Sequence, residues 1–358
     1  WKTTSGNLIL TGTNNYSGVT VINTGTLQVG NGGASGTLGT GNVTNKATLT
    51  FNRTNNFTVA NLITGTGTVN QNGTGIVTLS GNNSYSGSTI ISSGTVAVAS
   101  DSALGSSILN FNGNNGGFRS ANLSSRTLAN EIVFGGTTAT LGGGGTGDLI
   151  FNGAGVNNGA LTKTLIVSNA NTTINNAITN SGAIFKDGPG TLVLGGNNTY
   201  LNMTKILAGT LRINAENRLG SNPATFNPAQ LTLDGGTLQT VTSFAIDDSN
   251  RGITLGANGG TISVNNGVIL NLQKPMTGSG TFTKSGGGIL LTTTSNNFSG
   301  ATFISDGTLA LSGFAALSAT PTIDVAASST LNVAGVAGFV IGNSQTLSGL
   351  GTINGTAQ

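Results

Sequence analysis

The residues of this chain that could do acid–base chemistry are few and scattered. There is no histidine and no cysteine among its 358 residues, and charged residues make up 6% of the chain. Without imidazole or thiol groups there is no usual serine triad, no ordinary zinc site and no thiolate nucleophile. The chemistry that remains belongs to carboxylates, lysines, hydroxyls and the backbone.

One adjacent pair of carboxylates stands in the segment "AIDDSNRG", as Asp247 and Asp248. Two carboxylates on one sheet face could act as general acid and general base on a polysaccharide. Neighbouring residues of a strand, however, point to opposite faces. We therefore interpret this pair as a solvated loop pair, with a catalytic role as the alternative.

A second acidic candidate is Asp148 in "GGGGTGDLIF". The segment is similar to the calcium-binding pattern Gly-Gly-x-Gly-x-Asp, but Thr146 stands where that pattern requires glycine. Calcium-binding coils also need tandem copies to complete each ligand set, and this segment does not recur. A plain glycine-rich turn is the favoured interpretation, and we predict no metal and no cofactor.

Three lysines recur at equivalent positions of a repeated segment, as Lys2, Lys186 and Lys284, and Gln71 takes that position in a fourth copy. This periodicity favours a structural role over a catalytic one. We predict that these side chains are exposed at the edges of the repeats.

Composition excludes several classes of protein. The 13 Lys and Arg and the 10 Asp and Glu residues are dispersed, so the basic patch of a nucleic-acid-binding protein is missing. The longest apolar runs are interrupted by glycine and reach about half of the roughly 20 residues that a membrane helix needs. We predict neither nucleic-acid binding nor membrane insertion of this segment.

The elements that must position any site are short strands. Val, Ile and Leu alternate with polar residues over four to six positions, and glycine, of which there are 59, or asparagine ends each run. One 24-residue segment recurs without gaps in four copies. The copies are Gly6–Val29, Gly75–Val98, Gly190–Ile213 and Gly288–Leu311.

Three features mark each copy: an aromatic residue, an asparagine before it and a glycine before threonine. The aromatic residues are Tyr16, Tyr85, Tyr200 and Phe298; the asparagines are Asn15, Asn83, Asn198 and Asn297; the glycines are Gly25, Gly94, Gly209 and Gly307. We interpret these as structural positions of the repeat. The third copy departs by having Asn202 where the others have glycine.

Self-similarity of this kind predicts stacked coils that share one core. We predict an all-β parallel β-helix with three short strands per coil, and a β-sandwich is the alternative. In the first copy these strands are "NLILT", "VTVIN" and "TLQVG". Alternation predicts six inward side chains in the copy, and they are Leu8, Leu10, Val19, Val21, Leu27 and Val29. We also expect the asparagines to form ladders and each aromatic residue to cover a corner.

The pattern of these copies, with glycine-rich segments leading into them, resembles the passenger-associated transport repeat of autotransporters, the type V secreted proteins of Gram-negative bacteria. The resemblance implies a right-handed β-helical passenger that is exported and folds outside the cell. We expect residues 1–358 to be a single β-helical segment that begins and ends partway through a repeat. Neither a signal peptide nor a C-terminal β-barrel is recognisable in these residues.

The function that these observations favour is structural. We predict a rigid stalk or scaffold at the bacterial surface or in the medium, acting in adhesion and without enzymatic activity. The alternatives are a polysaccharide-acting β-helical enzyme and a self-assembling fibre or coat. The expected partners are a host-cell surface or glycan ligand, or a second copy of the chain.

Overall fold

The computed structural model describes residues 1–356, and the strands divide between two compact units with the boundary after Asn180. A 3-10 helix at Glu216–Leu219 is the only helical segment in the described part of the chain. None of the described helices is long and apolar enough to cross a membrane. The chain is therefore all-β, as predicted.

Unit 1 (residues 1–180) consists of short strands joined by tight turns. They are β1 (Asn7–Leu10), β2 (Thr20–Ile22), β3 (Thr26–Gly33), β4 (Val43–Asn45), β5 (Thr48–Arg53), β6 (Phe57–Val59), β7 (Ile63–Thr64), β8 (Thr68–Gln71), β9 (Ile76–Leu79), β10 (Thr89–Ile91), β11 (Thr95–Val98), β12 (Leu109–Phe111), β13 (Gly116–Ser120), β14 (Arg126–Leu128), β15 (Ile132–Phe134), β16 (Thr138–Leu141), β17 (Leu149–Phe151), β18 (Val156–Asn157), β19 (Lys163–Val167), β20 (Asn171–Ile174) and β21 (Ile178–Thr179).

Unit 2 (residues 181–358) is built in the same way. Its strands are β22 (Ile184–Asp187), β23 (Thr191–Leu194), β24 (Thr204–Ile206), β25 (Thr210–Ile213), β26 (Asn227–Leu233), β27 (Thr237–Thr240), β28 (Phe244–Ile246), β29 (Arg251–Leu255), β30 (Gly260–Val264), β31 (Ile269–Leu272), β32 (Met276–Gly278), β33 (Phe282–Ser285), β34 (Ile289–Thr292), β35 (Thr302–Ile304), β36 (Gly307–Ser312), β37 (Thr322–Val325), β38 (Ser329–Gly335), β39 (Thr346–Gly349) and β40 (Thr352–Asn354).

Strands pair with strands of neighbouring coils. Within unit 1 the sheets run in the orders β1-β3-β5-β8-β10-β12-β15-β18-β21, β6-β9-β11-β13-β16-β19, β14-β17-β20 and β2-β4-β7. Within unit 2 the orders are β22-β24-β26-β29-β32, β23-β25-β27-β30-β33-β35-β37-β39 and β28-β31-β34-β36-β38-β40. The ladders are parallel, for example β10 on β8 and β27 on β25. Parallel ladders between successive coils are those of a β-solenoid, which confirms the predicted fold class and not the sandwich.

The repeated copies close a coil with two strands and an irregular corner. In the first copy Leu8 on β1 pairs directly with Leu27 on β3, so the segment "TLQVG" begins the next coil rather than completing the first. Regular coils elsewhere have the three predicted strands, as in β15, β16 and β17 before β18 returns to pair with β15. The asparagine and aromatic positions of the repeat lie in the irregular corner.

The core of each unit consists of inward apolar side chains, and the prediction for the first copy was partly wrong. Leu27 and Val29 are buried, but Leu8 is 45% exposed because β1 is the end strand of its sheet. On β2 the inward residues are Thr20 and Ile22, whereas Val19 is 53% exposed and Val21 is half-buried. Leu10 is also only half-buried.

Candidate functional site

The most elaborate polar structure in each copy is a corner formed by the lysine or glutamine position and a glycine from the following coil. We call it the lysine–glycine corner, formed by Lys2 with Gly25, Gln71 with Gly94, Lys186 with Gly209, and Lys284 with Gly307. The lysine or glutamine pairs in parallel with an isoleucine of the next coil. The pairs are Lys2 with Ile22, Gln71 with Ile91, Lys186 with Ile206, and Lys284 with Ile304.

In the third copy, Lys186 is fully buried and its ammonium group contacts only backbone oxygens at hydrogen-bond distance. Its Nζ donates to the carbonyls of Asp187 (2.8 Å) and Gly188 (2.8 Å) in its own turn, and to that of Ala208 (3.0 Å) in the next coil. Three donors thus meet three acceptors, which is what a buried ammonium needs to offset its lost hydration. The side chain joins two coils without any carboxylate partner.

The fourth copy repeats this arrangement. Lys284 is fully buried, and its Nζ donates to the carbonyls of Ser285 (2.8 Å), Gly286 (2.5 Å) and Asp306 (2.9 Å). Burial lowers the pKa of Lys284 to about 8, although the charge of Asp306 opposes this change. Burial likewise lowers the pKa of Lys186 to about 8, against the opposing charge of Asp187. The two corners are therefore equivalent in geometry and electrostatics.

The corners of the first two copies differ from these, with Lys2 as the hydrogen-bond donor in one and Gln71 in the other. Lys2 is 6% exposed, and its Nζ donates to the carbonyls of Thr4 and of Thr24, the latter at 3.2 Å. Gln71 is 1% exposed, and its Nε2 donates to the carbonyls of Gly73 (2.7 Å) and Gly75 (2.9 Å). An amide thus replaces the ammonium as the donor, without the bond to the following coil.

The predicted glycines complete the corner from the next coil. Gly25, Gly94, Gly209 and Gly307 all have positive φ, between 61° and 67°. A Cβ on Gly209 would clash with the carbonyl oxygen of Gly188 and lie 2.9 Å from the Nζ of Lys186. Only glycine combines this backbone conformation with such a close approach to the lysine and its acceptors.

The prediction that these lysines are exposed was wrong. The acceptors that bury them are backbone carbonyls, which every residue possesses and which no sequence pattern identifies. One signal was nevertheless present in the sequence. Gln71 replaces lysine in the second copy, and glutamine shares the hydrogen-bond donor of lysine but not its charge.

A second polar cluster, the aromatic corner, lies where the repeat has no strand. Tyr85 is fully buried, and its hydroxyl lies 2.6 Å from Oγ1 of Thr89, which lies 2.8 Å from Oγ of Ser107 in the next coil. Tyr200 is also fully buried, with its hydroxyl 2.6 Å from Oγ1 of Thr204. Burial raises the pKa of each tyrosine to about 12. These hydroxyls therefore act as neutral hydrogen-bonding groups.

The other two copies show what the hydroxyl adds. Phe298 is buried but has no hydroxyl, so Thr302 bonds instead to Oγ1 of Thr320, 3.2 Å away. Tyr16 keeps the bond to Thr20, at 2.9 Å, but is 39% exposed. The inward threonine is thus explained by its hydroxyl partner, a relation that hydrophobic alternation does not reveal.

The asparagine assignments for the first and fourth copies require correction. The gap-free equivalents of Asn83 are Asn14 and Asn296, two residues before the aromatic ring, whereas Asn15 and Asn297 are exposed. Oδ1 of Asn83 accepts the Ile63 N–H at 2.8 Å, and its Nδ2 donates to Ala103 O at 2.6 Å. One amide thereby joins three successive coils.

The same position acts similarly in the other copies. Asn198 donates to the Arg218 carbonyl at 2.6 Å, Asn296 accepts the Met276 N–H at 3.0 Å, and Asn14 donates to the Thr37 carbonyl at 2.7 Å. The ladder of stacked amides that we predicted is local, as between Asn175 and Asn152 at 2.8 Å. The asparagines of the repeat bind the backbone instead.

Asn202, the departure in the third copy, does not disrupt its turn. Its side chain is exposed and donates a hydrogen bond to the Ser181 carbonyl, one coil earlier. A larger change follows in the next coil of this copy. Thr210 pairs with Thr237, so the coil between them is a widened coil, longer than the regular coils. The 3-10 helix lies in that widened coil.

The widened coil brings together carboxylates that the sequence does not connect. Arg251 is fully buried and forms ion pairs with Glu216 (Nε–Oε1, 3.1 Å) and Asp248 (Nη2–Oδ2, 2.7 Å). It also donates to the carbonyls of Leu219 and Gly220, each at 2.9 Å. Glu216 accepts the backbone N–H of Asp247 at 3.0 Å.

Asp247 and Asp248 therefore belong to an ion-paired loop. Burial is the main cause that raises the pKa of Glu216, and Arg251 acts against it. Asp247 is exposed, and Asp248 contacts arginine. The residue that sequence reasoning missed is Arg251, which is distant from Glu216 along the chain.

Asp148 has a structural contact. Its Oδ1 accepts the Asn171 N–H at 2.8 Å and its Oδ2 accepts from the Asn171 side chain at 3.0 Å, one coil later. Both oxygens are therefore engaged by neutral donors. No group of three or more acidic side chains that could hold a metal ion occurs within residues 1–356.

Comparison with known proteins agrees with the repeat. The family model for the passenger-associated transport repeat matches residues 2–29, 69–98, 184–213 and 276–311. A 177-residue stretch is 34% identical to an adhesin autotransporter, BmaC, of Brucella suis biovar 1 (strain 1330). The alignment covers 47% of this chain and 5% of that protein. No solved structure matched the chain.

Proposed function

We propose that this chain, an autotransporter passenger segment with four passenger-associated transport repeats, is a rigid β-helical stalk of a surface adhesin. The observation that carries the proposal is the set of buried corners. An asparagine in every copy, and a lysine in three of the four, bonds to the backbone of an adjacent coil. Such bonds resist sliding and separation of coils, as a spacer under load requires.

The similarity to an adhesin autotransporter supports adhesion as the purpose of the stalk. The place of action is the bacterial surface or the medium, with anchoring at the outer membrane as the finer proposal. On this view the segment is not an enzyme. A host-cell surface or a glycan is the partner, bound by the passenger as a whole or by this segment.

The stalk role is tested by shortening the chain in register. Deleting residues 6–74 from the passenger of the intact protein puts Gly75 in the place of Gly6 and so preserves the repeat. If the segment is a spacer, adhesion of the producing bacteria falls, and an inserted copy of residues 6–74 restores it. Unchanged adhesion of the shortened protein, with equal surface amounts by antibody staining, would contradict the stalk.

Adhesion by the segment itself needs a separate measurement. Purified residues 1–358 on fluorescent beads are expected to bind cultured host cells above the level of beads that carry albumin. If beads do not bind while the deletion above lowers bacterial adhesion, the segment is a spacer without its own ligand. Growth of particle size with concentration in the same sample would favour the self-assembling fibre.

One observation favours an enzyme as the second candidate. Glu216 and Asp248 come from successive coils and meet at Arg251. Both carboxylates are engaged by this guanidinium, so a reaction would require its displacement. Release of reducing ends from polysaccharides by residues 1–358, lost in Glu216→Gln, would establish this alternative; no release would support the stalk.

A further inference from the structure

The glycine-rich turn in unit 1 lies against an arginine of the preceding coil. Arg119 is on β13, and its half-buried side chain reaches the turn formed by residues 142–147. A Cβ on Gly143 would lie 3.2 Å from Cδ and 3.4 Å from Nη1 of Arg119. Because residue 143 has no side chain, the guanidinium can lie directly across the turn.

The guanidinium of Arg119 has no protein partner among residues 1–356. Its Nε is buried without a hydrogen bond, and it forms no ion pair with any described carboxylate. The buried arginine of unit 1 differs from it. Arg53 donates to the carbonyls of Gly36 (2.6 Å) and Ala34 (2.5 Å). The chain thus leaves the half-buried Arg119 cation with unsatisfied donors, and an acceptor from outside the chain can pair with the guanidinium nitrogens that are not buried.

The turn offers further donors beside this arginine. Thr146 N–H donates to Gly143 O at 3.0 Å and Gly145 has φ of 72°, the arrangement of a type II turn. The N–H groups of Gly144 and Gly145 have no partner within the described chain. No atom lies within 4 Å of where a Cβ would stand on either glycine, so a ligand has open access to this side.

Unit 1, which contains Arg119 and the turn, has a net positive charge, as an anion site requires. Unit 1 has six Lys or Arg and three Asp or Glu residues, whereas unit 2 has seven of each, so the net charge of +3 belongs to unit 1. Asp148 is the carboxylate nearest to the turn in sequence. Both of its oxygens are engaged by Asn171, which directs them to the next coil.

We propose that Arg119 and the turn Gly143–Thr146 form a binding site for a sulfate or phosphate group. The planar guanidinium would bind two oxygens of the group in the bidentate manner that arginine favours. The N–H groups of Gly144 and Gly145 would donate to the remaining oxygens, as unpaired backbone amides do in other anion sites. The group is either a free ion or an ester on a polysaccharide. This site does not depend on the stalk proposal.

The test is a titration of ¹⁵N-labelled residues 1–358 with sodium sulfate, with sodium chloride at equal ionic strength as the control. Sulfate is expected to shift the amide signals of Gly144 and Gly145 and the Nε–H signal of Arg119, and chloride is not. Arg119→Gln should weaken sulfate binding at least tenfold. The matched control is Arg212→Gln in unit 2. It removes the same charge from a half-buried arginine whose Nε already has a partner in Gln239.

Two further results decide the outcome. Arg119→Lys keeps the charge but not the bidentate fork, so binding close to that of Arg119→Gln supports the site. Two results would contradict the site: wild-type sulfate affinity in Arg119→Lys, or equal losses of affinity in Arg119→Gln and Arg212→Gln. Either would mean that sulfate is held by general charge attraction. If dextran sulfate shifts the same signals and unsulfated dextran does not, the group is an ester on a polysaccharide. If sulfate shifts them and dextran sulfate does not, the group is a free ion.

Discussion

Unit 1 contains twice as many basic as acidic residues, whereas in unit 2 the two kinds are equal in number. All ion pairs of the described residues lie in unit 2, where Arg251 binds Glu216 and Asp248 and where Lys205 binds Asp234. In unit 1 the buried basic groups bind carbonyls instead, as Arg53 and Lys163 do.

This difference shows that the repeat specifies geometry rather than charge. Both units use the same corner, with a positive-φ glycine above a lysine or a glutamine. What varies is how the cations outside the corners are balanced. Carbonyls hold a cation without neutralising the unit, so unit 1 keeps a net charge that a ligand can use.

The largest expected effect comes from Arg251→Ala in unit 2. The substitution leaves two carboxylates and two carbonyls of a buried cluster without their partner, so we expect a loss of about 3–5 kcal/mol around residues 214–251. Local hydrogen exchange, read by mass spectrometry, measures this loss without assuming two-state unfolding. Arg53→Ala in unit 1 leaves two carbonyls and the Asn55 side chain, but no carboxylate, without their donor, and should lose about 2 kcal/mol. Equal losses of stability in Arg251→Ala and Arg53→Ala would contradict the difference between the two units.

The second prediction concerns the shared corner. Gly209→Ala in unit 2 and Gly94→Ala in unit 1 should each lose about 2–3 kcal/mol, because alanine is strained at positive φ and its Cβ meets carbonyl oxygens. Urea unfolding of each variant, followed by circular dichroism, gives the change in midpoint. Gly155→Ala, which has open space around it, is the control and should change little. A tolerated Gly94→Ala would show that the glutamine copy is built differently.

A smaller effect is expected from the tyrosine hydroxyls. Tyr85→Phe and Tyr200→Phe should each cost about 1 kcal/mol, since each leaves a buried threonine hydroxyl without one partner. Thermal unfolding at neutral pH measures this cost. Tyr16→Phe is the control, because its ring is 39% exposed and water can replace its bond. If Tyr85→Phe is neutral, the Thr89–Ser107 bond compensates for the loss.

A pH dependence of the stability of unit 2 is also expected. Burial lowers the pKa of Lys186 to about 8, from the ordinary value of 10.5 that it has when the chain unfolds. Between these values the unfolded state binds more protons than the folded state, so stability rises with pH from about 8 to 10.5. Below pH 8 both states are protonated and the stability is independent of this group.

Exchanging lysine and glutamine between the corners of different copies tests whether stability rises with pH in this way. Lys186→Gln should reduce the rise of stability with pH, and Lys284 should account for the part that remains, since its pKa is also about 8. Gln71→Lys should introduce a rise in unit 1. Urea unfolding at pH 7.5 and 10 measures both changes. A fall in wild-type stability over this interval would contradict the assignment.

The sequence was sufficient to predict the fold because the repeat is long and free of gaps. Alternation and glycine spacing predicted parallel coils, and the structure has them. Alternation failed on β2, where Thr20 points inward and Val21 does not, because apolar residues stand at both parities of that strand. The inward Thr20 bonds to the Tyr16 hydroxyl, an interaction that hydrophobic alternation does not reveal.

Less of the candidate sites could be predicted. The repeat singled out the glycines and Asn83, but the paired asparagines allowed the register to slip by one residue at Asn15 and Asn297. Burial of Lys186 depends on carbonyls that sequence cannot identify. The contact of Arg251 with Glu216 depends on the width of an irregular coil, which only the structure supplies.

The corner of Lys186 has a direction along the chain. Two of its three acceptors lie in its own turn, but the third, the Ala208 carbonyl, belongs to the coil that follows. A stack that ends just after Lys186 leaves this ammonium short of one acceptor, whereas a stack that begins just after it leaves the Ala208 carbonyl without its donor. The two ends of a solenoid cut at this corner are therefore chemically different, with a cationic donor exposed at one end and a neutral carbonyl at the other.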